Sequence, residues 1–163
     1  AWDQDHTLES AVQNSVVWYF QEVARQIGPK KMQGYLDQIN YGNKDISGGI
    51  DKFWLSSSLK ISPKQQVEVL ERLLGNDSPF KKENVATVKK IILWDKAQRH
   101  PVHEKTGTCR QSSGNYGAWL VGYVDVEGSH KYFASYLEGK DYKQISAERR
   151  EFTLKSLKKF GVL

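Results

Sequence analysis

The spacing of apolar residues changes along this chain, and the change limits the folds it can adopt. Up to about residue 93, apolar residues recur at steps of three and four, which is typical of helices with one buried face. Between residues 102 and 138 the spacing shortens toward two, as in strands, and a helical pattern then returns. Helices followed by consecutive strands and a closing helix predict an α+β fold with an antiparallel sheet.

Glycine, serine and proline divide the helical part. A first helix is predicted over residues 8–27, and Gly28-Pro29 ends it; a second covers residues 29–39. Two Ser-Pro pairs each place a capping serine before a proline, which suits a first helical turn. They predict a third helix from Ser62-Pro63 to the stop at Gly75, and a fourth from Ser78-Pro79 to about Leu93.

The strand-like part predicts three strands, over residues 102–108, 117–126 and 131–138. The second and third are separated by EGSH, a tight-turn sequence that predicts a hairpin. A closing helix is predicted over residues 145–160. Because three strands are few for this much helix, we expect further strands upstream and treat residues 1–163 as one partial domain.

Composition narrows the class of protein. The chain is 39% hydrophobic and 26% charged, which is ordinary for a globular protein, and no apolar run is long enough for a membrane span. Its net charge of +5 comes from scattered lysines that form no stripe with aromatic residues, so we expect no nucleic-acid partner. Cys109 is the only cysteine and the four histidines are isolated, so we expect no metal site.

Four short motifs occur in a fixed order. Ser15-Val16-Val17 lies inside the predicted first helix, Tyr41-Gly42-Asn43 opens a loop, Trp54-Leu55 follows in that loop, and Lys105-Thr106-Gly107 starts a strand. Lys-Thr-Gly is one of the motifs that serine enzymes acting on penicillins carry on a strand. Each motif alone is weak, because each has an ordinary structural explanation in packing or turn formation.

Together with their flanks, SVVWYFQEVARQIG and YGNKDISGGIDKFWL, the motifs resemble the class D serine β-lactamases, the oxacillinases. The resemblance covers roughly the C-terminal two thirds of a family domain. It implies a transpeptidase-like fold in which a helical cluster packs on an antiparallel sheet whose N-terminal strands are missing here. It also implies an extracytoplasmic enzyme that hydrolyses penicillins and oxacillins through an acyl-serine intermediate, with β-lactam antibiotics as its partners.

The family's nucleophilic serine, followed three residues later by a lysine, precedes the Ser-x-Val motif. Three Ser-x-x-Lys matches exist here, beginning at Ser57, Ser78 and Ser156, but all follow Ser15 and none fits. The resemblance therefore places the nucleophile upstream, together with the lysine that becomes the carbamylated general base; no other cofactor is expected. We expect the 163 residues alone to be inactive, and to associate with that upstream segment or with each other.

The resemblance gives each matching residue a role. Ser15 would relay a proton to the β-lactam nitrogen, and Lys105 would support that transfer and attract the substrate carboxylate. Val17 and Trp54 would surround the carbamate, and Leu55 would line the site of the deacylating water. Substrate binding is assigned to Thr106, Gly107, Thr108 through its oxyanion-hole N–H, and Arg149, with Arg150 as the alternative arginine. Loop shaping is assigned to Tyr41, Gly42 and Asn43.

Three other interpretations remain open. Penicillin sensors and transpeptidases share the fold but stay acylated; they typically carry asparagine where this chain has Val17, so Val17 and Trp54 favour the lactamase. The chain could also be a non-catalytic fragment. Nucleic-acid binding rests on charge alone.

Overall fold

A computed structural model describes residues 2–55, 57–95 and 99–163. Within those ranges the chain forms five helices, then four strands, then a sixth helix. The helices are α1 (Leu8–Gln13), α2 (Val17–Ile27), α3 (Pro29–Gln38), α4 (Pro63–Leu74), α5 (Lys82–Ile91) and α6 (Tyr142–Lys159). The strands are β1 (Leu93–Asp95), β2 (Val102–Arg110), β3 (Tyr116–Val126) and β4 (Ser129–Gly139). No helix in these ranges is both long and apolar enough to cross a membrane.

The strands form one antiparallel sheet in the order β1-β2-β3-β4, which confirms the predicted α+β class. The hairpin between β3 and β4 turns at Glu127 and Gly128, whose φ angles of 51° and 80° fit a two-residue turn that follows the twist of the strands. The prediction of three strands was wrong by one. The short strand β1 follows α5 directly, and its apolar residues continue the helical pattern without a break.

Helices cover both faces of the sheet, and each interface has its own core. On one face, Leu157 of α6 packs with Val102, Leu120 and Val124. On the opposite face, Leu70 and Leu74 of α4 pack with Tyr123. Because side chains alternate along a strand, consecutive residues of β2 serve opposite faces. Lys105 therefore faces the α4 side of the sheet, and Glu104 faces α6.

The prediction of one helix over residues 8–27 was wrong, because the chain breaks between α1 and α2. Asn14 ends α1, Ser15 adopts a left-handed backbone with φ of 51°, and Val16 precedes α2. The Val16 N–H donates to the Ala11 carbonyl at 2.9 Å, and both side chains are fully buried. A positive φ is uncommon for serine, so the buried valine and its hydrogen bond to Ala11 hold this helix end in place.

Other element bounds depended on how serine and aspartate cap helices. The predicted start at Ser62 is confirmed by a reciprocal capping box with Gln65. The predicted start at Ser78 is wrong, because its hydroxyl donates to the Leu73 carbonyl at 2.8 Å and closes the turn after α4. The helix α6 begins earlier than predicted, since the Asp141 carboxylate accepts hydrogen bonds from the first-turn N–H groups.

A stacked aromatic cluster occupies the end of the sheet where β2 begins. The His103 ring lies parallel to Tyr123 at 4.3 Å between centroids, and the His130 ring is 4.4 Å from Tyr123. The Lys89 Nζ sits 5.7 Å from the Tyr123 ring centroid. Burial lowers the pKa of both histidines. For His103 the hydrogen bond to the Lys89 carbonyl and the charge of Asp125 oppose this change. For His130 the charge of Lys89 adds to it and that of Asp125 opposes it.

This cluster predicts that the protein loses stability as the pH falls through the histidine range. Because the folded-state pKa of each histidine lies below its unfolded value, the unfolded chain binds more protons there, so stability rises with pH. We expect Tm to drop between pH 7.5 and pH 5, and His103→Phe, which keeps a ring on Tyr123, to reduce that drop. Calorimetry at several pH values measures it, with His100→Gln as the matched control outside the cluster. An unchanged slope in His103→Phe would contradict the prediction.

Candidate active site

The structure brings Ser15 and Lys105 together although ninety positions separate them. The Lys105 Nζ donates to Ser15 Oγ at 2.5 Å and to the Thr106 carbonyl at 2.8 Å. Ser15 reaches this position because its left-handed backbone turns it out of the helical path between α1 and α2. Burial lowers the pKa of Lys105, Arg149 lowers it further, and Glu104 opposes both.

The direction of this hydrogen bond determines what the pair can do. A hydroxyl has one hydrogen to donate and two lone pairs, and Lys105 already occupies one lone pair of Ser15. The Ser15 hydrogen therefore remains available to a third group. If Ser15 gives up that hydrogen, the lysine can replace it, and a lowered lysine pKa eases this transfer. The geometry is that of a two-residue proton relay.

The outer edge of β2 carries main-chain groups that no strand pairs, within the described residues, beyond the short contact with β1. The Glu104 N–H donates to Ile92 O at 2.7 Å, so it points to that outer edge. Alternation along the strand directs the N–H groups of Thr106 and Thr108 the same way. The Thr106 carbonyl there accepts from Lys105, and exposed Gly107 adds no side chain. An extended ligand could therefore reach the Thr108 N–H.

The two candidate arginines of α6 turn to different partners. The Arg149 Nη1 donates to Thr108 Oγ1 at 2.7 Å and to the Gly107 carbonyl at 3.2 Å. Arg150 instead forms an ion pair with Glu104 and stacks its guanidinium 4.4 Å from the Trp94 ring centroid. Arg149 is thus the arginine beside the Lys-Thr-Gly strand, where a ligand carboxylate could meet it.

Hydrogen bonds fix the Tyr41-Gly42-Asn43 loop to its neighbours. The Asn43 side chain donates to the Ser58 carbonyl at 2.9 Å and accepts from the Lys60 N–H at 2.9 Å. Gly42 has a φ of 51°, and a Cβ there would lie 2.0 Å from the Lys60 carbonyl oxygen, so only glycine fits. The Tyr41 hydroxyl donates to Gln66 of α4 at 3.1 Å. These contacts shape the loop without reaching Lys105.

No hydrogen bond within the described residues links Trp54, Leu55 or Val17 to the Ser15–Lys105 pair or to the Arg149–Thr108 pair. Trp54 is half-buried and packs edge-on against buried Phe53, with ring centroids 4.9 Å apart. Leu55 is 38% exposed, and Val17 is a half-buried residue that opens α2. Within the described residues the Trp54 side chain makes no hydrogen bond, so its indole N–H is available to an acceptor. The roles predicted for these three residues stay predictions.

The three Ser-x-x-Lys matches lie away from this site. The Ser78 hydroxyl bonds to the main chain after α4, and the Ser156 hydroxyl donates to Phe152 O at 2.8 Å within α6. Ser57 is half-buried beside Gly48. None of the three serines is hydrogen-bonded to its own lysine in the part of the chain that the structure describes. Their placement supports rejecting them as nucleophiles.

Sequence reasoning missed Glu104. Its side chain is only 3% exposed and pairs with Arg150, yet a glutamate in an alternating strand is ordinarily expected to face solvent. The one available signal was its position directly before Lys105, which gives no information about burial. Its partner lies 46 positions further along the chain, so the pair is a tertiary feature.

Comparisons with known proteins agree with this architecture. The family described as the penicillin binding protein transpeptidase domain matches residues 1–157. The chain is 37% identical over 163 residues to the probable beta-lactamase YbxI of Bacillus subtilis, covering all of this chain. A class D beta-lactamase structure from Nostoc superposes with a TM-score of 0.92 at 34% identity, over 99% of this chain. The C-terminal domain of the Bacillus licheniformis BlaR penicillin-receptor superposes with a TM-score of 0.91 at 35% identity, over 99% of this chain.

The match covers less of the other proteins than of this one. The chain spans 58% of the Bacillus subtilis protein, 68% of the Nostoc structure and 65% of the BlaR domain. The chain therefore belongs to the penicillin-binding protein transpeptidase domain family, and within that family it is similar to the class D β-lactamases and the BlaR penicillin-receptor domain.

Proposed function

We propose that the protein containing these residues hydrolyses β-lactams through an acyl-serine intermediate. The observation that carries the proposal is the hydrogen bond from Lys105 to Ser15, which lies beside the unpaired edge of β2. A β-lactam has a carbonyl to be attacked, a ring nitrogen that must gain a proton and, in penicillins, a carboxylate. Ser15 is suited to protonate the ring nitrogen, and Arg149 is suited to bind the carboxylate. The Thr108 N–H is suited to bind the oxygen of the attacked carbonyl.

In the acylation step, the nucleophilic serine outside the 163 residues gives its proton to a general base as its oxygen bonds to the lactam carbonyl carbon, and the ring C–N bond breaks. Ser15 gives its proton to the departing nitrogen and receives one from Lys105 in the same step. The Thr108 N–H stabilises charge on the carbonyl oxygen, where preorganised donors have their largest effect. Thr106 and Arg149 hold the carboxylate. Arg149 is already beside Thr108, so little motion is needed.

Deacylation also needs the base, and we assign this role to a carbamylated lysine. Like the nucleophilic serine, that lysine lies outside the 163 residues. Trp54 would donate its indole N–H to the carbamate. Val17 would shield it with apolar surface, which disfavours the free ammonium form, and Leu55 would line the path of the water. The 163 residues alone would then be inactive and would need the remainder of the protein. We place the reaction outside the cytoplasm, where β-lactams meet their targets.

A second candidate function is penicillin sensing, in which the protein is acylated but not turned over. The likeness to the BlaR penicillin-receptor domain, at 35% identity and a TM-score of 0.91, favours it. The Ser15–Lys105 relay serves acylation in both cases. The two functions differ only in the fate of the acyl-enzyme.

The deciding experiment treats the full-length protein with benzylpenicillin and follows its intact mass while product is measured. A drug-sized mass increment that appears and then disappears with turnover supports the lactamase. A stable increment without turnover supports the sensor instead. If neither an increment nor hydrolysis is seen, both functions are wrong. The 163-residue chain, tested in parallel, should show neither.

A further inference from the structure

Glu104 is a buried carboxylate next to the candidate active site, and it forms an ion pair with Arg150, whose side chain is 39% exposed. The Glu104 side chain is 3% exposed, and its Oε1 accepts from Arg150 Nη2. The second oxygen, Oε2, and the Arg150 Nε are buried without a hydrogen-bond partner in the described chain. Burying a charge is costly unless it is fully paired, and here only one of the two carboxylate oxygens has a partner among the described residues. A role beyond packing would explain it.

The pair links α6, which packs on β3 and β4, to β2. Arg150 joins three elements, because its guanidinium also covers Trp94 of β1. The preceding residue, Arg149, contacts Thr108 four positions further along the same strand. Two consecutive arginines of α6 therefore hold two points of β2. The ion pair at Glu104 fixes the position of α6 relative to β2, and this position lets Arg149 contact Thr108.

Glu104 is also the negative charge among three neighbouring cations. It raises the pKa of Lys105 and of Arg149, against the larger effect of burial. Without the glutamate, Arg150 would be an unpaired cation beside Arg149, free to move toward the position that a substrate carboxylate takes. The loss would therefore affect the recognition of charge more than the proton relay on the opposite face of the sheet.

We infer that Glu104 is a positioning residue for carboxylate recognition: through Arg150 it holds α6 so that Arg149 faces the ligand carboxylate at Thr108. The inference rests on the proposed function, because the ligand it concerns is an anionic β-lactam. It adds to that function a residue that neither touches the substrate nor belongs to any of the four motifs.

The test compares benzylpenicillin with its methyl ester on the full-length protein. For Glu104→Ala we expect kcat/KM for the acid to fall between about tenfold and a hundredfold, mostly through KM, while the ester changes less than about threefold. Active-site titration normalises for unfolded protein. Glu151→Ala, an exposed glutamate next to Arg150 on α6, is the matched control and should leave both substrates unchanged.

A double variant guards against a folding explanation. Glu104→Leu with Arg150→Met replaces the ion pair by apolar groups, which often preserves packing. We expect the double variant to bring KM for the acid most of the way back to the wild-type value. In that variant α6 packs on the sheet again, and no unpaired cation remains at position 150. Equal losses for acid and ester, or no loss for either, would overturn the inference while leaving the proposed function intact. A wild-type protein that neither binds covalently nor hydrolyses benzylpenicillin would overturn the proposed function, and this inference with it.

Discussion

Lys105→Ala should lower kcat/KM of the full-length protein for benzylpenicillin by about 10²- to 10⁴-fold, the range expected when a positioned proton donor is lost. In the alanine variant no lysine returns a proton to Ser15 Oγ, so Ser15 protonates the departing lactam nitrogen less effectively. It also removes one cation near the carboxylate. We therefore expect kcat to fall more than KM rises, as measured by single-turnover acylation kinetics.

The pH profile separates this role from a general loss of structure. A relay needs a proton on Lys105, whose pKa lies below the usual lysine value of 10.5, so activity should decline at alkaline pH on a limb that begins below that value. The limb should be absent in Lys105→Ala. Lys64→Ala, an exposed lysine on α4, is the control. An alanine variant that acylates at the wild-type rate would show that Lys105 takes no part in proton transfer.

Arg149→Ala should raise KM for anionic β-lactams by about tenfold to a hundredfold, because charged hydrogen bonds contribute about 1.5–3 kcal/mol each. The turnover number should change little, since the proton relay lies on the other face of β2. Arg149→Lys should recover only part of the affinity, because an ammonium cannot bind a carboxylate with two parallel hydrogen bonds. Steady-state kinetics with a penicillin and its ester measure the effect.

Arg150→Ala is the neighbouring comparison. It removes the partner of a buried carboxylate and should lower Tm more than Arg149→Ala does, since an uncompensated buried charge is destabilising. Thermal unfolding of both variants checks this order. If Arg150→Ala raised KM as much as Arg149→Ala without any loss of Tm, the assignment of the carboxylate to Arg149 would be wrong.

Local signals in the sequence predicted much of the fold. The EGSH turn and the Ser62–Gln65 capping box each involve residues close in sequence, so both could be predicted. The break at Ser15 could not be found from periodicity, because the apolar spacing continues through it while the backbone does not. The bond that Ser78 makes to the preceding helix likewise competes with the helix start that its sequence favours.

The candidate site divides in the same way. The motifs contain Ser15 and Lys105, the resemblance added Thr108 and Arg149, and the structure brings the four residues together as two hydrogen-bonded pairs. The resemblance left Arg149 and Arg150 both open, and only their tertiary partners separate them. Glu104 has no motif, and its importance comes from burial under α6, which no local pattern of residues encodes.

The unpaired edge of β2 has a consequence for the behaviour of the protein in solution. Main-chain groups that await a ligand are equally able to pair with a strand of another molecule, which is how edge strands start aggregation. Most sheets cover or shorten such an edge, but an enzyme that binds its substrate there must leave it open. The charged side chain of Arg110, which is exposed at the end of the strand, then opposes such pairing. Under the proposed function, the edge that binds the substrate is also the part of the sheet most open to aggregation.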